Sequence, residues 1–94
     1  MKTASVKDSS VISVDETQRP TLNSGDILVQ MHACGICGSD LEKVFGQYGQ
    51  PSMRLGHEPA GMVLDVGSDV IEFKQGDRVF THHHVSCYDC HFCN

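Results

Sequence analysis

The sequence predicts a mainly β domain, a small and partly open barrel with one short helix. Three features carry that expectation: short apolar runs recur along the chain, turn-forming residues separate them, and one stretch alone combines a capping pattern with helical apolar spacing. The expected strands are Val11–Val14, Ile27–Met31, Met62–Val66 and Arg78–Thr81. In the second of these, Ile27, Val29 and Met31 fall on one face and Leu28, Gln30 and His32 on the other, the pattern of a half-buried strand. Asn23-Ser24-Gly25-Asp26, Gly67-Ser68-Asp69 and Gln75-Gly76-Asp77 supply the turns between runs. The helix is expected over Ser39–Phe45. Ser39 and Glu42 read as a capping box, Leu41, Val44 and Phe45 form its apolar stripe, and Gly46 stops it.

Length and composition bound the function. A chain of 94 residues makes one domain with a thin core, so bound metal or neighbouring protein would add to its stability. Its 39 % hydrophobic and 20 % charged residues suit a soluble globular chain. Seven basic against 12 acidic residues give a net charge of -5, which repels nucleic-acid phosphates. The polar residues among Met1–Val11 leave no room for a secretory leader, and no run is long enough to span a membrane. A cytoplasmic protein without nucleic-acid or membrane partners is expected. In that compartment the five cysteines read as metal ligands or free thiols rather than disulfides.

Two clusters carry chemistry. The first is Cys34-Gly35-Ile36-Cys37-Gly38-Ser39-Asp40 together with Gly56-His57-Glu58, and the second is Cys87-x-x-Cys90-x-x-Cys93. Thiolate, imidazole and carboxylate together suit Zn²⁺, which favours four ligands and keeps one position open when its site is catalytic. The sequence contains no Gly-x-Gly-x-x-Gly, so a nicotinamide cofactor would have to be held mainly by other residues.

The ordered motifs Gly35-Ile36-Cys37-Gly38-Ser39-Asp40, Gly56-His57-Glu58-Pro59-Ala60-Gly61 and Gly76-Asp77-Arg78-Val79-Phe80 resemble the zinc-dependent medium-chain alcohol and polyol dehydrogenases. Pro20, the Gly25–Val29 entry and the terminal cysteines strengthen the likeness, which covers nearly the whole chain. The resemblance implies that residues 1–94 are a GroES-like zinc-binding catalytic domain, with a structural-zinc lobe beginning near residues 86–94 and a Rossmann domain absent from this stretch. It implies Cys37 and His57 as catalytic-zinc ligands, Glu58 as a ligand or exchangeable neighbour, and Asp40 holding His57 from behind. Ser39 would pass a substrate hydroxyl's proton onwards while a hydride leaves for NAD or NADP. Glu42 stands where family members often carry a histidine of the proton relay, a departure that touches the relay and not the zinc. Cys87, Cys90 and Cys93 would hold a structural zinc whose fourth ligand lies outside the chain, so these residues are expected to be incomplete on their own. A small alcohol or polyol substrate and a homo-oligomeric parent are further implications. The 82–90 stretch has the look of polyol or threonine dehydrogenases.

Plainer readings stand beside these. Ser39 can serve as a helix N-cap, His57 as a structural histidine and Glu58 as a solvated charge. Cys34 lies outside the family's ligand slot and reads as packing. His82, His83 and His84, if they continue a strand, alternate in direction and cannot converge on one ion. Cys87-x-x-Cys90-His91 also matches haem attachment, and the three cysteines could open an iron–sulfur run, although haem attachment implies export and the run lacks its fourth cysteine. A stand-alone zinc-binding module without catalysis is the alternative from another functional class.

Overall fold

Strand pairing distant in sequence organises this chain, and among the described residues strands outnumber helices. The computed structural model describes residues 1–8, 10–45 and 54–93. In order come β1 (Lys2–Asp8), β2 (Val11–Glu16), β3 (Ile27–Cys34), α1 (Gly38–Val44), β4 (Pro59–Val66) and β5 (Arg78–Phe80). β1 and β2 form an antiparallel hairpin, while β3, β4 and β5 form a separate three-stranded antiparallel sheet with β4 in the middle. The sheets do not close on one another, as a partly open barrel requires.

β1 has no counterpart among the expected strands. Lys2–Asp8 offers only Ala4 and Val6 as apolar residues, and its pairing with β2 from Lys2↔Glu16 to Asp8↔Val11 decides its conformation instead. Val6, only 2 % exposed, is what the hairpin contributes to the core. The hairpin is tied to the rest through Leu55 N–H to Ala4 O (3.1 Å) and Ser10 N–H to Val44 O (2.6 Å). Val44 of α1 and Val63 of β4 are the other buried apolar side chains among the described residues, so the core is a small set of valines.

The remaining strands run longer or shorter than expected. β3 extends to Cys34 and β4 starts at Pro59, which carries the ladder right up to the motif residues. The expected alternation in β3 fails: Ile27, Leu28 and Val29 are half-buried in succession, and Met31 is exposed. Register irregularities at Leu28/Val29 and Met31/Ala33 interrupt the two-residue period there. β5 stops at Phe80, one residue early.

The helix also begins differently. Its N-cap is Cys37, and the side chain that caps it is Asp40, whose Oδ2 accepts from the Cys37 N–H at 3.0 Å. The Ser39/Glu42 capping box is therefore displaced by one built on Cys37 and Asp40, because Asp40 is buried (6 % exposed) and turned back toward the cap. α1 ends at Val44 with Phe45 as C-cap; Gly46, the expected stop, lies outside the described residues.

One glycine fixes the spacing of the central strands. Gly61 is buried opposite Met31, and a Cβ there would collide with the Gln30 carbonyl and Val29 Cγ1.

Candidate metal centres

The end of β3 and the beginning of β4 deliver the first centre. The ladder continues one step past the strands through Gly35 N–H to Glu58 O at 3.0 Å, which locks the Cys37 loop beside the His57-Glu58 pair. Cys37, at the helix cap, His57 and Glu58 each offer a donor atom, and the three atoms lie within 4.8 Å of one another. Gly35 makes this possible: a Cβ at that position would strike the Glu58 carboxylate, so the absent side chain is the space in which Glu58 sits.

Around these donors the polar atoms are ordered. His57 Nδ1 faces Asp40 Oδ1 at 3.4 Å, and both atoms are buried without a formed hydrogen bond to any described residue. A small ring rotation would pair them, placing the proton on Nδ1 and leaving the Nε2 lone pair free to bind a metal beside Cys37 and Glu58. Ser39 Oγ lies 3.4 Å from His57 Nε2. The Ser39 hydroxyl and backbone N–H, and then the His57 ring, hold the Cys37 thiol below its ordinary range, which favours the thiolate a metal needs. Sulfur, imidazole and carboxylate converging on one point, with an aspartate waiting behind the imidazole, fit a zinc ion.

The second centre is local. Cys87, Cys90 and Cys93 bring their sulfurs within 4.8 Å of one another, with Cys93 Sγ 3.5 Å from Cys87 Sγ and 3.4 Å from Cys90 Sγ. Cys87 and Cys90 are exposed. The Asp89 N–H above all, followed by the neighbouring thiols, lowers the Cys87 thiol to about 7. Three sulfurs at this spacing fit three corners of a tetrahedral zinc, and the fourth corner needs a donor from outside the triad.

Some residues stand elsewhere. Cys34 is half-buried, with Sγ 3.5 Å from the Gly35 carbonyl, and takes no part in either convergence. Glu42 is exposed on α1. An apolar groove of about 430 Å³ lined by Ile27, Val29, Phe73, Val79 and Phe80 contains none of the donors. The histidine tract departs from its expected geometry: β5 has already ended, so strand alternation does not govern it, and the rings of His82, His83 and His84 gather with centres 3.9–5.2 Å apart. His83 also reaches the first centre, its ring 5.4 Å from that of His57 at an interplanar angle of 70°. Partial desolvation and then the adjacent imidazoles keep His83 below its ordinary pKa.

An antiparallel, partly open sheet fold of this order defines a class, the domains built on the GroES-like scaffold. The alcohol dehydrogenase GroES-like domain matches residues 23–94, and the chain belongs to that family. It is 39 % identical to L-threonine 3-dehydrogenase of Streptomyces coelicolor, over 83 % of this chain and 24 % of that protein. Sorbitol dehydrogenase of Bacillus subtilis is 36 % identical over 99 % of this chain and 28 % of its own length. Among solved structures, galactitol-1-phosphate dehydrogenase from Escherichia coli superposes with a TM-score of 0.87 at 30 % identity, covering 99 % of this chain and 28 % of that one. The chain thus spans about a quarter of the length of these relatives. Among the described residues no helix is long and apolar enough to cross a membrane.

Proposed function

We propose that residues 1–94 are the GroES-like zinc-binding part of a zinc-dependent oxidoreductase that moves a hydride between a primary or secondary alcohol, or a polyol, and NAD or NADP. The observation that carries this reading is the convergence of Cys37, His57 and Glu58, with Ser39 at the imidazole and Asp40 behind it. When bound there, zinc supplies Lewis acidity that makes a nearby hydroxyl easier to deprotonate. The protein's own groups do the rest. Asp40 orients His57 and fixes its tautomer, the Cys37 backbone N–H holds Asp40 in place, and Gly35 leaves the space that lets Glu58 approach or withdraw. Ser39, within reach of His57 Nε2, is positioned to accept a proton from a substrate hydroxyl and hand it toward solvent.

Cys87, Cys90 and Cys93 hold a second, structural zinc whose fourth donor comes from outside the triad. Since the relatives are about four times as long, nicotinamide binding is assigned to a Rossmann domain in the remainder of the protein. Threonine, sorbitol and galactitol 1-phosphate in the relatives' names support a hydroxyl-bearing small molecule as substrate. A homo-oligomer in the cytoplasm, without nucleic-acid or membrane partners, completes the reading; the net charge of -5 speaks against a nucleic-acid partner.

The test assays the 94-residue chain, the longer protein and its Cys37→Ala variant with zinc, NAD or NADP, and ethanol, sorbitol, butanediol or threonine. The longer protein turns over and its Cys37→Ala variant does not. The 94-residue chain alone is inactive, because aligning hydroxyl carbon and nicotinamide contributes about 7–11 kcal/mol of barrier lowering that one partner cannot supply. Full activity in the Cys37→Ala protein would end the proposal.

A further inference from the structure

The two sulfur-containing centres differ in what oxidation can do to them. The Cys37 centre holds a single sulfur, since Cys34 stands outside its convergence. The Cys87 loop holds three, and Cys93 touches both of the others: its Sγ is 3.5 Å from that of Cys87 and 3.4 Å from that of Cys90. These separations exceed the roughly 2.0 Å of a disulfide bond by only about 1.4 Å.

The backbone is already bent to suit such a bond. The Cys93 N–H donates to the Cys90 carbonyl at 3.1 Å and closes a turn over residues 90–93. A turn of this kind keeps its end Cα atoms within about 7 Å, and a disulfide spans about 4.4–6.8 Å. On the other side, Tyr88 has a φ of 55°, which bends the chain directly after Cys87. Cys87 is exposed, so a small oxidant reaches its sulfur without any opening of the core.

We infer that the Cys87 loop is a site of reversible oxidation, at which Cys93 forms a disulfide with Cys87 or Cys90 and the bound zinc is released. The inference rests on the structural-zinc reading of this loop. The oxidant is a peroxide, hydrogen peroxide being the simplest. The Cys87 sulfur attacks one peroxide oxygen and the O–O bond breaks; the sulfur becomes a sulfenic acid and the other oxygen leaves as water. The Cys93 sulfur then attacks the sulfenic sulfur, the S–S bond forms and the hydroxyl departs as a second water. Two thiols have given up two electrons, and the peroxide has been reduced to two waters. Cys90 takes the place of Cys87 by thiol–disulfide exchange at Cys93, which it touches. Either disulfide withdraws two of the three thiolates, leaving zinc one thiolate and the outside donor where it needs four ligands. In the cytoplasmic setting proposed above, a disulfide of this kind is transient and redox-sensing rather than structural.

The test exposes the zinc-loaded Cys37→Ala chain to hydrogen peroxide, so that the Cys87 loop is the remaining sulfur cluster. Released zinc is followed with a chromophoric chelator, and disulfides are mapped by mass spectrometry of peptides. The expected result is one zinc released per disulfide formed, with Cys93 in every mapped disulfide. A dithiol reductant then restores the thiols and zinc binding together. A second arm uses metal-free chains and does not depend on zinc: Cys87→Ser and Cys90→Ser each still form the other disulfide with Cys93, whereas Cys93→Ser loses it. Zinc retained through oxidation, a predominant Cys87–Cys90 disulfide, or undiminished disulfide formation in Cys93→Ser would overturn the inference and leave the zinc site in place. A Cys37→Ala chain that takes up no zinc would overturn the structural-zinc reading, and the release with it.

Discussion

Cys37 and the His57-Glu58 pair arrive from opposite strands of one sheet, whereas Cys87, Cys90 and Cys93 come from a single loop with two residues between successive sulfurs. The first centre depends on the fold: its donors meet because the β3–β4 ladder runs up to Gly35 and Glu58, and its histidine is backed by a buried aspartate. The second needs only local turns and sits among exposed residues such as Tyr88 and Phe92. One centre therefore reports on tertiary structure and the other on loop conformation, so perturbations of the sheet should separate them.

The largest separation is expected from Gly61→Val. The added side chain meets the Gln30 carbonyl and Val29, so the central strand pair must part, at a cost of about 1–3 kcal/mol or more. Metal analysis should find the Cys37 centre lost and the Cys87 centre retained, alongside a lowered melting temperature. Loss of both metals together would show that the cysteine loop also depends on the sheet.

Asp40→Asn acts on the first centre alone. The amide can still accept from the Cys37 N–H, but it no longer offers a carboxylate to His57 Nδ1. Zinc affinity there should fall about 10–100-fold, with affinity at the cysteine loop unchanged, as read by competition with a chromophoric chelator.

The cysteine loop has its own signature in pH. In the metal-free chain, alkylation of Cys87 should rise with a midpoint at about 7 rather than at the ordinary thiol value of 9.0. The sign follows from the depressed value: the contacts that favour the thiolate stabilise the folded loop fully above the ordinary thiol value, and their contribution is lost as pH falls through about 7. Mass spectrometry of single-cysteine modification against pH checks this, and a midpoint near 9.0 would remove the special status of Cys87.

Ser39→Ala should do least to stability. Cys37 and Asp40, not Ser39, form the helix start, so the melting free energy should change by less than about 0.5 kcal/mol. A loss of about 1 kcal/mol or more, the usual cost of deleting an N-cap, would restore Ser39 to that role.

Where the fold is legible in the sequence, the signal is local. Apolar runs and their turns mark β2, β3, β4 and β5, and the Leu41/Val44 spacing marks the helix. β1 is invisible because Lys2–Asp8 has little strand character of its own and is held by partners up to Glu16. The helix start is misread for a similar reason: a Ser-x-x-Glu pattern competes with Cys-x-x-Asp in the same stretch, and burial of Asp40 decides between them. The members of the first centre are named through resemblance, since no periodicity links Cys37 to His57. The three-cysteine loop shows in its spacing as a cluster of thiols, while its reading as a structural-zinc lobe comes from the resemblance. The histidine tract escapes the sequence reading because strand alternation cannot be carried past Phe80, where the strand stops.

The two irregularities in the β3–β4 ladder have a consequence for how this segment can change in length. Between Leu28 and Val29 the extra residue lies on β4, and between Met31 and Ala33 it lies on β3, so the offsets are of opposite sense and cancel before Cys34 meets Pro59. Deleting His32 alone would leave the β4 offset uncorrected and slide the Cys37 loop by one residue, about 3.4 Å, relative to Glu58. Deleting Leu64 as well would bring the motif ends back into phase. Insertions and deletions in this ladder are thus tolerated in compensating pairs, and a sequence that changes one strand's length without the other's gives up the meeting of its two motifs.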